Sequence, residues 1–135
     1  MTITLDDVYM LTDLRIIGLM QPYDFLSAGS KKLAKISDCI GWASYILNHI
    51  GDGSTVAERE HVAFLNMWLE RFIFCGSSCC PTFNHKYLAE CLAVGYDIPL
   101  GKYLLGSAYH LMHQVAIQLL KNEPVHTISG PWWLL

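Results

Sequence analysis

HVAFLNMWLERFIFCGSSCCPTFNHKYLAECLAVGYDIPLGKYLLGSAY, residues 61–109, holds three apolar-periodic segments joined by two compact breaks. Apolar residues at three- and four-residue steps mark one face of a helix, whereas a half-buried strand alternates every second residue. In the first segment, at 100° per residue, Arg59, Ala63, Asn66 and Glu70 share one narrow stripe. Val62, Leu65, Met67, Trp68, Leu69, Phe72 and Ile73 cover most of the remaining circumference. A helix that is apolar nearly all round belongs at the centre of a core. Each large side chain buried there contributes about 1.5–3 kcal/mol. Thr55-Val56-Ala57-Glu58 has the form of a capping box, so the pattern predicts a helix from Thr55 to about Phe74, ending near Gly76.

The same periodicity extends in both directions. Downstream, a helix is expected from Asn84 to Ala93 with Tyr87, Leu88, Cys91 and Leu92 inward and Gly95 as its stop. A longer one follows from Pro99 to Lys121 on a spine of Leu100, Leu104, Ala108, Leu111, Val115 and Leu119. Gly101, Gly106 and Ser107 thin its early turns, and the propensity lost at Gly106 points to close approach of a neighbouring helix. Upstream, Thr4-Leu5-Asp6-Asp7 approximates a capping box for a short helix that buries Leu5, Val8 and Leu11. Arg15 to Gly29 reads as a connector. Leu33, Ile36, Ile40, Ala43, Leu47 and Ile50 then mark a helix over 30–48, closed by Gly51-Asp52-Gly53-Ser54. No strand pattern competes. The reading is all-α: one domain over residues 1–135, an irregular bundle of about five helices around a central apolar helix.

Composition narrows the functional classes. Of 135 residues, 53% are hydrophobic and 16% charged, against about 25% charged in typical soluble domains. Such a chain buries much of itself or presents apolar surface to more protein. The net charge is −3, and Lys31, Lys32 and Lys35 form the one basic cluster, which argues against direct nucleic-acid binding, where a basic face is usual. The cysteines, Cys39, Cys75, Cys79, Cys80 and Cys91, are odd in number and contain no CxxC. With no signal-peptide pattern after Met1, they suit a reducing intracellular compartment. Lys102, His110, His113, Gln114 and Gln118 interrupt the longest apolar stretch and argue against a membrane span.

The C-terminal Pro131-Trp132-Trp133-Leu134-Leu135 opens like a helix and stops. Either a further segment covers Trp132 and Trp133, which makes the chain a fragment of a larger helical domain, or the two indoles fold back on the core. These two residues are the candidate interaction site.

Several stretches resemble the plant mobile domain family: MTITLDDVYMLTDLRIIGL at the start, AFLNMWLERFIFCGSS and LAECLAVGYDIPLGKYLLGSAYHLMH in the middle, and GPWWLL at the end. Their order and spacing carry the resemblance, which spans nearly the whole chain. It implies a largely helical, plant-specific domain that is longer on both sides and occurs in transposable elements and host proteins derived from them. Host members similar to the maintenance-of-meristems proteins are nuclear and tied to genome integrity, transposon silencing and meristem maintenance. The chain departs from the family at Thr12-Asp13-Leu14-Arg15, where a Gly-Leu-Pro turn is usual. The family supplies no settled catalytic residues.

Its alternative label, aminotransferase-like, is not supported by the residues. Pyridoxal phosphate chemistry needs a Schiff-base lysine, a phosphate cup and a large fold; Lys102 has an apolar context, but no glycine-rich phosphate loop follows a strand. Cys75, Cys79, Cys80 and His85 cluster in sequence, though adjacent Cys79 and Cys80 point apart in most backbones and no zinc knuckle is present. His110 and His113 at i and i+3 would need Cys91 or His85 as a third ligand. A thiol nucleophile would use Cys80 with His85 or His110 and Asp97, and nothing in the spacing selects them. The expected function is a non-enzymatic helical protein-interaction module without cofactor, intracellular and, by the resemblance, nuclear. Its partners would be proteins or further segments of the same domain. The alternative is a zinc- or thiol-dependent enzyme using the region Cys75 to His85.

Overall fold

The computed structural model describes residues 2–18, 41–78, 80–82, 84–125 and 128–135. Five α-helices run in order: α1 (Leu5–Thr12), α2 (Trp42–Leu47), α3 (Glu58–Trp68), α4 (Lys86–Val94) and α5 (Leu100–Leu120). A π turn, Leu69–Ile73, continues α3, and a 3-10 turn, Trp132–Leu134, lies near the C-terminus. There is no strand among the described residues. The fold is an all-α bundle, as its periodicity requires. The expected helix over 30–48 is described only at its end, as α2; its residues 30–40, the basic cluster and connector residues 19–29 lie outside the described residues.

Local chemistry sets the helix ends. Thr4 and Asp7 form the anticipated capping box: Thr4 N donates to Asp7 Oδ2 at 2.8 Å, and Asp7 N donates to Thr4 Oγ1 at 3.3 Å. The hydrogen bonds from Thr4 hold the Asp7 carboxyl below its usual pKa. At the other end of α1, Asp13 adopts φ 54° and its N–H reaches Tyr9 O. α4 ends at Gly95, φ 89°, with Gly95 N on Leu92 O and Tyr96 N on Cys91 O, a Schellman motif. The start of α3 differs from expectation. It begins at Glu58 with Ala57 as an N-cap that makes no side-chain bond, and Thr55 stays outside. Glu60 Oε2 instead accepts Gly51 N at 3.3 Å, tying the preceding turn to the first turn of the helix.

The core joins α1, the α3–π segment, α4 and α5. Val8, Leu69, Ile73, Leu88, Ala89, Cys91, Leu100, Leu104 and Ala108 form one buried cluster, with Leu134 from the C-terminal turn. α3 packs on α4 and α2, and α1 packs on α5. Three expectations for the stripes are corrected. Leu11, Leu47, Ile50 and Leu119 are exposed, because α1 and α2 are short and α5 outruns the elements that cover it. Phe72, counted in the apolar circumference of the central helix, is 62% exposed; Phe64, outside that reading, is 51% exposed. Two polar members of the narrow stripe are instead buried, Asn66 at 0% and Glu70 at 2% exposed, while Arg59 is exposed.

The junction between α1 and α5 explains one glycine and leaves another unexplained. Gly101 N donates to Arg15 O at 2.8 Å, so the connector after α1 satisfies a first-turn N–H of α5. A Cβ at Gly101 would lie 2.9 Å from Ile16 Cγ2 and 3.1 Å from Arg15 O. Arg15 also pairs with Asp97, and Tyr109 Oη donates to Ile3 O at 2.6 Å. At Gly106, in contrast, a Cβ would meet nothing within 4 Å among the described residues, so none of them makes the close approach expected there. Opposite outcomes are expected in urea denaturation. Gly101→Ala should lose about 1–3 kcal/mol by overpacking, and Gly106→Ala should gain up to about 1 kcal/mol from helix propensity.

Candidate interaction surface

The C-terminal segment is half docked. Pro131 and Leu134 are buried, whereas Trp132 and Trp133 are 45% and 48% exposed. Both indole N–H groups are satisfied at the surface: Trp132 Nε1 donates to Ile128 O at 3.0 Å, and Trp133 Nε1 to Ile73 O at 3.2 Å. The turn folds back through Pro131 and Leu134, and about half of each indole faces outward. Fixing the polar edge of an indole while leaving its apolar face open suits an aromatic contact residue.

Trp133 is held by the π turn. The extra residue per turn sends Phe74 N to Leu69 O at 2.8 Å and leaves the Ile73 carbonyl to receive the indole. Phe72 precedes that carbonyl in sequence; the wider turn shifts it off the phase expected of an α-helix, and it emerges at the surface. Cys75, which adopts φ 49°, lies beside Trp133. Burial pushes its thiol pKa up, and the contact with Trp133 and the nearby Arg71 only partly oppose this.

Beneath this surface is a polar network that the sequence did not reveal. Thr82 Oγ1 donates to Glu70 Oε1, and Thr82 N donates to Glu70 Oε2 at 3.3 Å. Asn66 Nδ2 reaches Thr82 O at 3.3 Å and Tyr45 Oη at 3.5 Å. The network binds α3, α2 and the loop after the π turn into one unit. Asn66 Oδ1 is buried without a hydrogen-bond partner among the described residues. A signal existed in the pairing of two polar residues on an otherwise apolar helix, but a solvated stripe has the same pattern.

The remaining candidates are dispersed. Cys75 is partly buried, Cys80 exposed and Cys91 buried, and Cys79 lies outside the described residues. No group of three or more His, Cys, Asp or Glu side chains that could hold a metal ion occurs among the described residues. Burial also raises the Cys91 thiol pKa, which disfavours the thiolate. His110 and His113 are exposed on α5, and Asp97 is engaged by Arg15. Lys102 is exposed rather than enclosed. Trp68 and Tyr103 are partly buried against the core, whereas Phe72, expected there too, is not. Gln114 and Gln118 line a shallow depression at the far end of α5. No helix among the described residues is long and apolar enough to cross a membrane.

His85 stacks on Phe74 with centroids 4.6 Å apart and planes 5° from parallel. Desolvation lowers its pKa below 6.5, and its buried Nδ1 has no partner among the described residues. The folded state thus holds His85 neutral where the unfolded chain would protonate it. Its contribution is complete above about pH 6.5 and is lost as pH falls through that value toward the depressed one. Urea midpoints should therefore decline from pH 7 to pH 5.5, and His85→Phe should flatten that decline. Glu70→Ala should cost about 1–3 kcal/mol and speed amide exchange at Thr82, measured by hydrogen–deuterium exchange.

No protein-family model matches the chain, and neither a curated protein nor a solved structure does.

Proposed function

We propose that this chain is a non-enzymatic protein-interaction module of the plant mobile domain kind, acting through the surface centred on Trp132 and Trp133. The observation that carries the reading is the half-docked C-terminal turn, whose buried Pro131 and Leu134 anchor two half-exposed indoles. Phe72, exposed on the π turn that holds Trp133, adds to the apolar surface. Aromatic residues with their polar edge already satisfied are the usual energetic centres of protein contacts. The partner is a protein segment, either from the same domain or from a chromatin- or transposon-linked complex in the nucleus, as the family resemblance implies. The acidic net charge of −3 disfavours direct contact with phosphate backbones.

Proximity labelling in plant cells identifies the partner, and binding is then measured with the purified pair. The double substitution Trp132→Ala, Trp133→Ala should weaken that binding about 30-fold or more with the circular dichroism spectrum unchanged. A fluorescent fusion should concentrate in the nucleus. Stoichiometric zinc that is lost with Cys80→Ser, or turnover of a substrate by the purified chain, would replace this reading with a zinc- or thiol-dependent enzyme.

A further inference from the structure

A groove of about 770 Å³ runs along α5 between the helix and the returning segment 129–131, with Phe74 in its wall. Small-molecule sites span roughly 300–1,000 Å³ and are apolar with a few placed polar groups. This groove has that make-up. Phe74, Tyr103, Leu111 and Pro131 supply apolar wall, and neither exposed indole lines it.

Its polar groups are ordered. Lys102, Gly106 and His110 follow at four-residue steps, so they lie on one ridge of the helix. At a rise of 1.5 Å per residue, Lys102 and His110 are about 12 Å apart along the axis. Lys102 makes no ion pair among the described residues. The Gln114 amide nitrogen lies 3.0 Å from His110 Nε2. No carboxylate lines the groove among the described residues.

Gly106 lies midway along the ridge. It weakens the helix, and no neighbour among the described residues requires it, because a Cβ would meet none of their atoms within 4 Å. A larger side chain there would project into the groove. The cost in helix propensity is matched by room for a ligand.

We propose that the groove binds a small amphipathic carboxylate, its apolar body lying over Gly106 between Phe74 and Leu111 and its carboxylate on the Lys102 ammonium. Charge selects the head, since the described lining offers the Lys102 ammonium and no acid. Apolar contact supplies most of the affinity, because an exposed ion pair contributes little. This site is independent of the indole surface.

Isothermal titration calorimetry of the full chain with decanoate, below its micelle concentration, and with neutral decanamide tests the assignment. Decanoate should bind one to one with a Kd on the order of 100 µM, and decanamide more weakly. Lys102→Gln should weaken decanoate about threefold and leave decanamide unchanged. Gly106→Leu should weaken both at least about tenfold while helix content is kept and the melting temperature does not fall. Leu120→Ala, an exposed apolar change outside the groove, should bind as the parent chain does. Absence of saturable binding, equal affinity for decanoate and decanamide, or binding unmoved by Gly106→Leu in a folded variant would each overturn the proposal.

Discussion

The burial of Glu70 governs the orientation of the central helix. A carboxyl group removed from water needs hydrogen-bond donors, and here they come from Thr82, across the loop that follows the π turn. Asn66, one helical turn earlier, bonds the carbonyl of the same residue and the Tyr45 hydroxyl. The face carrying these groups must therefore look inward, and residues opposite it look outward. Phe64 and Phe72 are exposed as a consequence. The apolar surface of the molecule follows from where its polar groups are satisfied.

The π turn links this constraint to the C-terminus. Ile73 contributes its side chain to the core and its carbonyl to the Trp133 indole. Leu134 enters the same core cluster, so the chain end docks against the helix that Glu70 orients. Pro131 and Gly130 then pass close to Leu111 and form one wall of the groove beside α5. The indole surface and the groove share this docking segment but use different side chains. One faces outward through aromatic rings, and the other is concave with a cation at its edge.

α5 holds the opposite side together. Its first turn is capped by the Arg15 carbonyl, and Tyr109 two turns further on binds Ile3 O. The Tyr109–Ile3 pair lies 106 residues apart in sequence, and Arg15 and Asp97 are separated by 82. Local pattern carries no information about such pairs. Gly101 and Gly106 differ for the same reason: both are glycines in the early turns of one helix, yet one is compressed by the connector and the other has no such neighbour among the described residues.

The helical class, the order of the five described helices, the Thr4–Asp7 capping box and the Gly95 stop were legible along the chain, because each depends on residues within one or two turns. The spine Leu100, Leu104, Ala108, Leu111 was equally legible, since a 3.6-residue repeat states which side chains share a face. Tertiary structure alone decided which face of α3 is inside, that Thr55 does not cap it, that Trp132 and Trp133 are half docked, and that Lys102, Gly106 and His110 border a groove. The physical reason is that burial of a polar group is decided by its partners, and the partners of Asn66, Glu70 and both indoles come from chain segments that periodicity cannot bring together.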